Sequence, residues 1–443
     1  MKPTPKRYIV TGAQKGAALD KPFLKNLQRL ARDRAAEILI IPIDGLLKDS
    51  VLHPELEASY TIVPGERRLS RKLFIRQFDV QAQQMNPLIG KGRLVQVDTS
   101  AIVASPKQFM KPCPTAINQL PKILMSTGVC TLPNYRENQR GRIGEREHTI
   151  GAIYVEIDGR TDLFHYRHFR GLPDGSFIEF GERFSGGKIT KGMRAEILVL
   201  GDWHNGCVSD ATKTATYELI RKFQPRYLVI HDLFDGQSVN HHEEEMILRR
   251  AGKYAKLELR AELQACGEQL QVFRSLLPKD SDIVIVKSNH DEFLTRWLEG
   301  MRFAGDVRNV RLGLELSIAM LDKLDPLEEG IARCYGSRVP GVIFLQRDQD
   351  LKVCGLQLGD HGDRGSNGAR RATVTDLENS LGPSITGHRH TPEIMRRVYV
   401  VGTSTELKLD YNSGASSWMN THAVVWGTDQ VQLINLIEGK YKL

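Results

Sequence analysis

Short apolar segments alternate with helical segments in the C-terminal half of the chain, and this pattern constrains the fold more than any other feature. Residues 196–200, 227–230 and 282–286 have the composition of buried strands. Helical patterns over residues 211–223 and from about 243 to 277 separate these strands. Strands that alternate with helices favour a largely parallel sheet covered on both faces. We therefore expect an α/β fold in which the carboxyl ends of these strands meet at one edge.

Each of these three strands leads directly into polar residues that can bind a cation or a substrate. They are Asp202 and His204 after the first strand, Asp232 after the second, and Asn289, His290 and Asp291 after the third. Open α/β sheets bind ligands outside the carboxyl ends of their strands. A carboxylate at such a position can bridge two cations, because it has two oxygens and a full negative charge. Taken singly, each motif is explained as well by a capped turn or a polar loop.

Two histidine motifs follow later in the chain. Residues 353–358 form a predicted strand that leads to His361, and residues 384–386 form another that leads into Gly387-His388-Arg389-His390. In a turning segment, His-x-His can direct one imidazole to each of two metals about 3.5–4 Å apart. A single histidine is more often a surface or core residue, but an alternating pair after a glycine is harder to explain in that way.

The order of these motifs resembles the signature of the calcineurin-like metallophosphoesterases: Asp-x-His, then an Asp-x-x-Asp segment, Asn-His-Asp, a lone His and Gly-His-x-His. The resemblance covers roughly residues 195–435 and implies a β-sandwich flanked by helices. His231 and Ser288 stand where the family usually has glycine. Neither residue supplies or removes a ligand, although His231 is close enough in sequence to reach the metals or the substrate.

The resemblance implies a site for two divalent metals. Asp202, His204 and His390 would hold one metal, Asn289, His361 and His388 would hold the other, and Asp232 would bridge them. Imidazole, carboxylate and amide ligands without thiolates suit Mn²⁺, with Fe²⁺ or Zn²⁺ as alternatives, better than Ca²⁺. A water bound between two cations becomes acidic enough to attack phosphorus. His290, held by Asp291, would protonate the leaving oxygen or stabilise its charge.

The charge of the chain is unevenly distributed. Residues 1–150 contain 24 Lys+Arg and 13 Asp+Glu, a balance of +11, whereas residues 201–443 contain 30 and 33, a balance of −3. A basic N-terminal part predicts a polyanionic partner, although a solvated surface explains the same counts equally well. Two more basic clusters follow, at Arg249, Arg250, Lys253, Lys256 and Arg260, and at Arg364, Arg370 and Arg371.

These charges favour DNA as the partner and a DNA nuclease as the function. Residues 231–235, His-Asp-Leu-Phe-Asp, also resemble the Gly-Asp-Leu-Phe-Asp of the double-strand-break repair nucleases. Two alternatives stay open: a phosphomonoesterase that acts on a phosphoprotein or nucleotide, and a non-catalytic scaffold that keeps metals for structure. The complete ligand set and His290 argue against the scaffold.

A chain of 443 residues is longer than one ordinary core requires. Residues 8–13, 21–36 and 37–43 predict a β-α-β unit, and residues 184–187 have the composition of a linker. We place a boundary near residue 190. Residues 1–190 would form a separate basic α+β domain, with nucleic-acid binding as one role, and residues 191–443 the metallophosphoesterase domain.

The six cysteines are scattered and contain no Cys-x-x-Cys pair. A disulfide scaffold or a thiolate zinc site is therefore not expected, and free thiols fit the cytoplasm. No stretch approaches the roughly 18 apolar residues of a membrane span, so we expect no membrane association. The oligomeric state stays open, and a homo-oligomer is compatible with the sequence.

Overall fold

The computed structural model describes residues 5–443 except for residues 48, 79, 97, 117–119, 243–247, 249–251, 253–255, 371 and 410–411. The strands are β1 (Lys6–Gln14), β2 (Glu37–Ile43), β3 (Thr61–Ile62), β4 (Arg67–Arg68), β5 (Leu73–Ile75), β6 (Ser100–Val103), β7 (Phe109–Cys113), β8 (Lys122–Ser126), β9 (Gly151–Ile157), β10 (Phe164–Arg170), β11 (Phe177–Glu179), β12 (Glu182–Ser185), β13 (Lys188–Thr190), β14 (Ile197–Val199), β15 (Tyr227–His231), β16 (Asp282–Val286), β17 (Val342–Phe344), β18 (Lys352–Val353), β19 (Leu356–Gln357), β20 (Ser384–Thr386), β21 (Glu393–Met395), β22 (Val398–Val400), β23 (Thr421–Val425) and β24 (Val431–Asn435). The α-helices are α1 (Lys21–Arg34), α2 (Pro54–Ser59), α3 (Gln139–Arg146), α4 (Asp210–Phe223), α5 (Leu259–Leu276), α6 (Asp291–Glu299), α7 (Val310–Leu321), α8 (Pro326–Tyr335) and α9 (Val374–Leu381).

The α/β class predicted from the alternating pattern is confirmed. Strands β14 to β17 pair in parallel, and β23 joins β14 antiparallel, in a six-stranded sheet of order β17-β16-β15-β14-β23-β24. The register aligns Val199 with Val229 and Val229 with Val284. This register brings the carboxyl ends of β14, β15 and β16 to one edge of the sheet.

Both faces are buried at the central strands of this sheet, which explains why β14, β15 and β16 are almost continuously apolar. Val199, Val229 and Val284 pack in one core with residues of a second sheet, including Ile385. The alternate positions, such as Leu198 and Leu228, pack in a separate core with residues of helices α4 and α5. Because strand side chains alternate between faces, the two sheets pack face to face and helices cover the outer side of the six-stranded sheet.

The second sheet crosses residue 190. It has ten strands in the order β18-β19-β20-β22-β21-β7-β8-β6-β5-β4, so N-terminal and C-terminal strands belong to one sheet. The junction is the antiparallel pair β21–β7, in which Ile394 faces Met110 and Met395 faces Phe109. Strand periodicity does not reveal which distant strand is the partner, so the sequence analysis did not detect this pairing. The two-domain division stays a prediction, but packing is continuous across its boundary.

Residues 6–43 fold as the predicted β-α-β unit, with β1 and β2 parallel in a five-stranded sheet. The predicted linker at residues 184–187 is wrong. Its first half belongs to β12, which forms a hairpin with β13. Phe184 is fully buried and stacks on Phe177 with ring centroids 5.2 Å apart. Glycines at a hairpin turn produced a pattern that we interpreted as a linker.

The predicted continuous helix from about residue 243 to residue 277 is wrong, because Glu258 has an extended backbone and the α-helix before β16, α5, begins at Leu259. The basic residues Arg249, Arg250 and Lys253 lie outside the described residues, as does Arg371. No helix within the described ranges is long and apolar enough to cross a membrane.

Candidate metal centre

The structure brings the seven predicted metal ligands together at one end of the two sheets. They follow the strands β14 (Asp202, His204), β15 (Asp232), β16 (Asn289), β19 (His361) and β20 (His388, His390). The parallel pairing of β14, β15 and β16 explains why the first four ligands meet. The other three ligands, His361, His388 and His390, follow strands of the ten-stranded sheet, so the site lies where the two sheets face each other.

Asp202, His204, Asp232 and His390 form one buried group that can hold a metal ion. One ligand atom from each residue lies within 4.8 Å of all the others. Nε2 of His204 lies 3.1 Å from Nε2 of His390, which in turn lies 3.2 Å from Oδ2 of Asp202. Neither Asp202 oxygen has a hydrogen-bond partner of good geometry among the described residues. Two imidazole nitrogens directed at each other beside a buried carboxylate fit a shared cation.

Asn289, His361 and His388 form a second group on the other side of Asp232. Oδ1 of Asn289 lies 3.1 Å from Nε2 of His361 and 3.1 Å from Nδ1 of His388. Oδ2 of Asp232 lies 3.3 Å from Nε2 of His361 and 3.3 Å from Nε2 of His204. The Asp232 carboxylate therefore lies between the two groups, in the position that the sequence analysis assigned to a bridging ligand.

Four of the seven predicted ligands have left-handed backbone conformations. The φ angles are 46° at His204, 49° at Asp232, 70° at His388 and 54° at His390. Each such non-glycine residue costs on the order of 1–3 kcal/mol, and such strain clusters at functional sites. Neighbouring hydrogen bonds hold the strained loops, among them His204 N–H to the Asp232 carbonyl at 2.6 Å.

Asp235 positions two histidines of the site, a role that the sequence analysis did not assign. Its Oδ1 lies 2.9 Å from Nδ1 of His204, and its backbone carbonyl oxygen lies 2.7 Å from Nδ1 of His290. The first contact leaves Nε2 of His204 directed at the metal group. The Asp-x-x-Asp spacing after β15 was the signal that could have identified this residue.

The predicted contact between Asp291 and His290 is wrong. Oδ2 of Asp291 accepts a hydrogen bond from the Ser288 backbone N–H at 2.9 Å, and the Asp291 backbone N–H donates in return to Oγ of Ser288 at 3.1 Å. Asp291 therefore stabilises the loop between β16 and α6 rather than the His290 ring. The His290 side chain keeps 18% of its surface exposed at the edge of the site.

The N-terminal half pairs with the short segment that carries Trp418, and Trp418 packs against the site. The backbone of Thr115, beyond β7, pairs with Ser416 in both directions, with N–O distances of 2.9 and 2.8 Å. Two residues later, the Trp418 ring packs against the ligand His390, with centroids 4.2 Å apart. A single tryptophan in an irregular segment carried no signal in the sequence.

The electrostatics of the site also fit a cation. Burial lowers the pKa of His361, but Asp232, Asp202 and Asp363 together outweigh burial and raise it to about 9. Burial likewise lowers the pKa of His204, and Asp232 and Asp235 raise it well above the usual value. Burial raises the pKa of Asp232, yet His361 and His204 hold it well below the ordinary range. In the metal-free protein, protons on the histidines thus balance the charge that a metal would neutralise.

Many of the basic side chains that predicted a DNA partner are already paired. Arg364, three residues after His361, lies 2.6 Å from Glu292. Arg260 lies 3.9 Å from Glu315. In the N-terminal part, ion pairs join Arg7 to Glu156, Arg34 to Glu182, Arg67 to Glu37, Arg71 to Asp162 and Lys15 to Asp44. These pairs reduce the charge that the +11 balance suggested for a binding surface.

No protein-family profile matches the chain, and no solved structure matches it. The chain is 28% identical to "Protein A1" of Escherichia phage T5 over 469 aligned positions. The alignment covers 98% of this chain and 83% of the phage protein. The similarity extends through both halves of the chain, and the name of the phage protein states no activity.

Proposed function

We propose that this protein is a two-metal phosphodiesterase of the calcineurin-like type and that its substrate is DNA. The observation that carries the proposal is the position of Asp232, whose Oδ2 lies 3.3 Å from ligand nitrogens of both groups. The five motifs also occur in the order of that family. Face-to-face sheets with helices outside support the sandwich that the resemblance implies.

The seven proposed ligands would form two metal positions. Asp202, His204 and His390 would hold one divalent cation and Asn289, His361 and His388 the other, with Asp232 shared. Their oxygen and nitrogen donors suit Mn²⁺, with Fe²⁺ or Zn²⁺ as alternatives. When bound, such a metal pair supplies an acidified water and neutralises charge on the phosphoryl oxygens.

His290 would act on the leaving oxygen. Its Nδ1 faces the Asp235 carbonyl, which can only accept, so Nδ1 carries a proton. The other nitrogen, Nε2, then exchanges a proton or donates to the developing negative charge. His290 packs against His204, with ring centroids 4.5 Å apart, so it lies beside the first metal group.

DNA is the substrate that the charge and the motifs favour. The chain has a net charge of +8, and basic residues exceed acidic ones in its first 150 residues. The segment from His231 to Asp235 is similar to a motif of repair nucleases. The observed ion pairs weaken this argument but leave the net positive charge unchanged, and a basic surface binds the phosphate backbone.

The test is hydrolysis of linear and circular duplex DNA by the full-length protein with Mn²⁺, with and without EDTA. We expect cleavage with Mn²⁺ that EDTA abolishes. A parallel assay compares bis(p-nitrophenyl) phosphate with p-nitrophenyl phosphate, and we expect preference for the diester. Cleavage of the monoester alone would establish a phosphomonoesterase, and the absence of any hydrolysis with two bound metals would indicate a scaffold.

A further inference from the structure

His231 is a fully buried histidine at the end of β15, directly before Asp232. Its Nδ1 lies 3.3 Å from Nδ1 of His361, and the two ring planes are inclined by 35° with centroids 5.4 Å apart. The other nitrogen, Nε2, has no hydrogen-bond partner among the described residues. Leaving a buried polar atom unpaired costs about 1–3 kcal/mol, so a stability role alone does not explain this histidine.

The contact between Nδ1 of His231 and Nδ1 of His361 determines which nitrogen of His361 is available to a metal. Nε2 of His361 faces Oδ2 of Asp232 at 3.3 Å and Oδ1 of Asn289 at 3.1 Å, on the ligand side. The hydrogen-bond partner that the described residues offer to Nδ1 of His361 is Nδ1 of His231. An imidazole that binds a cation through Nε2 must carry its proton on Nδ1, and that proton needs an acceptor. His231 Nδ1 is placed to be that acceptor.

The packing around His231 keeps its ring in this position. Gly387 packs directly against His231 and Asp202, since a Cβ at Gly387 would overlap Oδ1 of Asp202 and would lie 3.0 Å from Cγ of His231 and 3.1 Å from Cβ of His231. Gly387 itself is held by a hydrogen bond from its N–H to the His361 carbonyl at 3.0 Å. The part of the protein behind the second ligand group is therefore one packed unit of His231, His361 and Gly387.

We propose that His231 is a positioning residue that fixes His361 as the Nδ1–H tautomer and thereby presents His361 Nε2 to the second metal. This inference rests on the proposed two-metal function. It assigns a role to a residue that the sequence analysis placed near the site without a function.

The test is a Mn²⁺ titration of the full-length protein. Binding is measured by calorimetry and by electron paramagnetic resonance of the free ion. We expect wild type to bind two Mn²⁺. His231→Leu should bind the second ion about 10–100-fold more weakly, the usual effect of losing an outer partner of a ligand histidine. His231→Asn keeps an acceptor near the Nδ1 position and should stay within about threefold of wild type.

The matched control is His168→Leu. His168 on β10 is also buried, and its Nε2 also has no hydrogen-bond partner among the described residues. We expect this variant to bind both ions as wild type does. If His231→Leu binds both ions with the same affinities as wild type, the proposed role of His231 is wrong. If wild type binds fewer than two ions, the proposed function on which this role rests is wrong.

A second measurement needs no variant. Histidine ¹⁵N NMR of the Zn²⁺-loaded wild-type protein reports which nitrogen of His361 carries a proton. We expect a protonated Nδ1 that shows a hydrogen bond to a nitrogen acceptor. A proton on Nε2, or metal coordination through Nδ1, would overturn the inference even if the leucine variant failed to fold.

Discussion

The backbone carbonyl of Asp235 accepts a hydrogen bond from Nδ1 of His290 at 2.7 Å. A carbonyl at this position has two consequences. It fixes the ring without a charge, and it makes Nε2 the only nitrogen of His290 that can exchange a proton with a substrate. The contact also survives substitution of the Asp235 side chain, so the roles of the two residues can be separated by mutation.

Substitution of His290 by alanine should lower turnover and leave the metals in place. Among the residues that the structure describes, the His290 side chain hydrogen-bonds to the Asp235 carbonyl and to none of the seven predicted ligands, so both ions should remain bound. Turnover on a small diester should fall by about 10²–10⁴, the usual scale for loss of a general acid. Metal content and turnover are measured on the same preparation. Loss of one ion in this variant would contradict the assignment of His290 as a non-ligand.

Substitution of Asp235 by alanine should weaken metal binding instead. Its side chain accepts from Nδ1 of His204 at 2.9 Å, and without it the imidazole loses its orientation. We expect Mn²⁺ affinity at the first group to fall about 10–100-fold. Asp322→Ala, at an exposed position, is the control. Unchanged affinity in Asp235→Ala would show that the loop alone holds His204.

Substitution of Asp232 by asparagine should abolish hydrolysis while the fold persists. The change keeps the shape of the side chain but removes the charge that lies between the two ligand groups. Metal occupancy should fall, and far-ultraviolet circular dichroism should stay as in wild type. Activity close to wild type with two bound ions would disprove the position of Asp232 at the centre of the site.

The affinity for Mn²⁺ should rise with pH. In the metal-free protein the pKa of His361 is raised to about 9, so the folded protein binds a proton there more tightly than the unfolded chain does. This proton stabilises the metal-free fold fully below about pH 6.5, and the contribution is lost as the pH rises through 9. Metal must displace the proton, so affinity should increase up to tenfold per pH unit between about 6.5 and 8.5. A flat profile would contradict the raised pKa.

The sequence predicted which residues meet at the site because these residues follow strands. Strand β16 and strand β20 begin and end where the apolar patterns predicted, and the polar residues after them converge as parallel pairing requires. Asp291 was misassigned because sequence adjacency to His290 says nothing about where the carboxylate points. Its direction is set by Ser288, through a loop geometry that no periodicity encodes.

Contacts between distant segments were the other class of feature that the sequence could not provide. The pairing of Thr115 with Ser416 and the contact of Trp418 with His390 join segments that have no regular pattern. Such contacts depend on the completed fold, since only the sheet junction brings these segments together.

A chain that starts at residue 191 should therefore fail to form a stable site. Removal of the N-terminal part exposes the edge of β21 and removes Met110 and Met125 from the core that the two sheets share. We expect the shortened protein to aggregate or to lose its cooperative thermal transition, whereas the full-length protein keeps it. A soluble, cooperatively folding protein that hydrolyses the small diester would show that residues 191–443 are autonomous after all.

The junction between β7 and β21 also determines when the site can form during synthesis. His204 and His390 meet in the site although 186 residues separate them, and β21 follows His390 in the chain. Strand β7 cannot pair with β21 before β21 has been made. The ten-stranded sheet therefore stays open at that edge until nearly nine-tenths of the chain has left the ribosome. A site assembled in this way stays incomplete in the nascent chain, because His388, His390 and the strand β21 that follows them are made close to the end of translation.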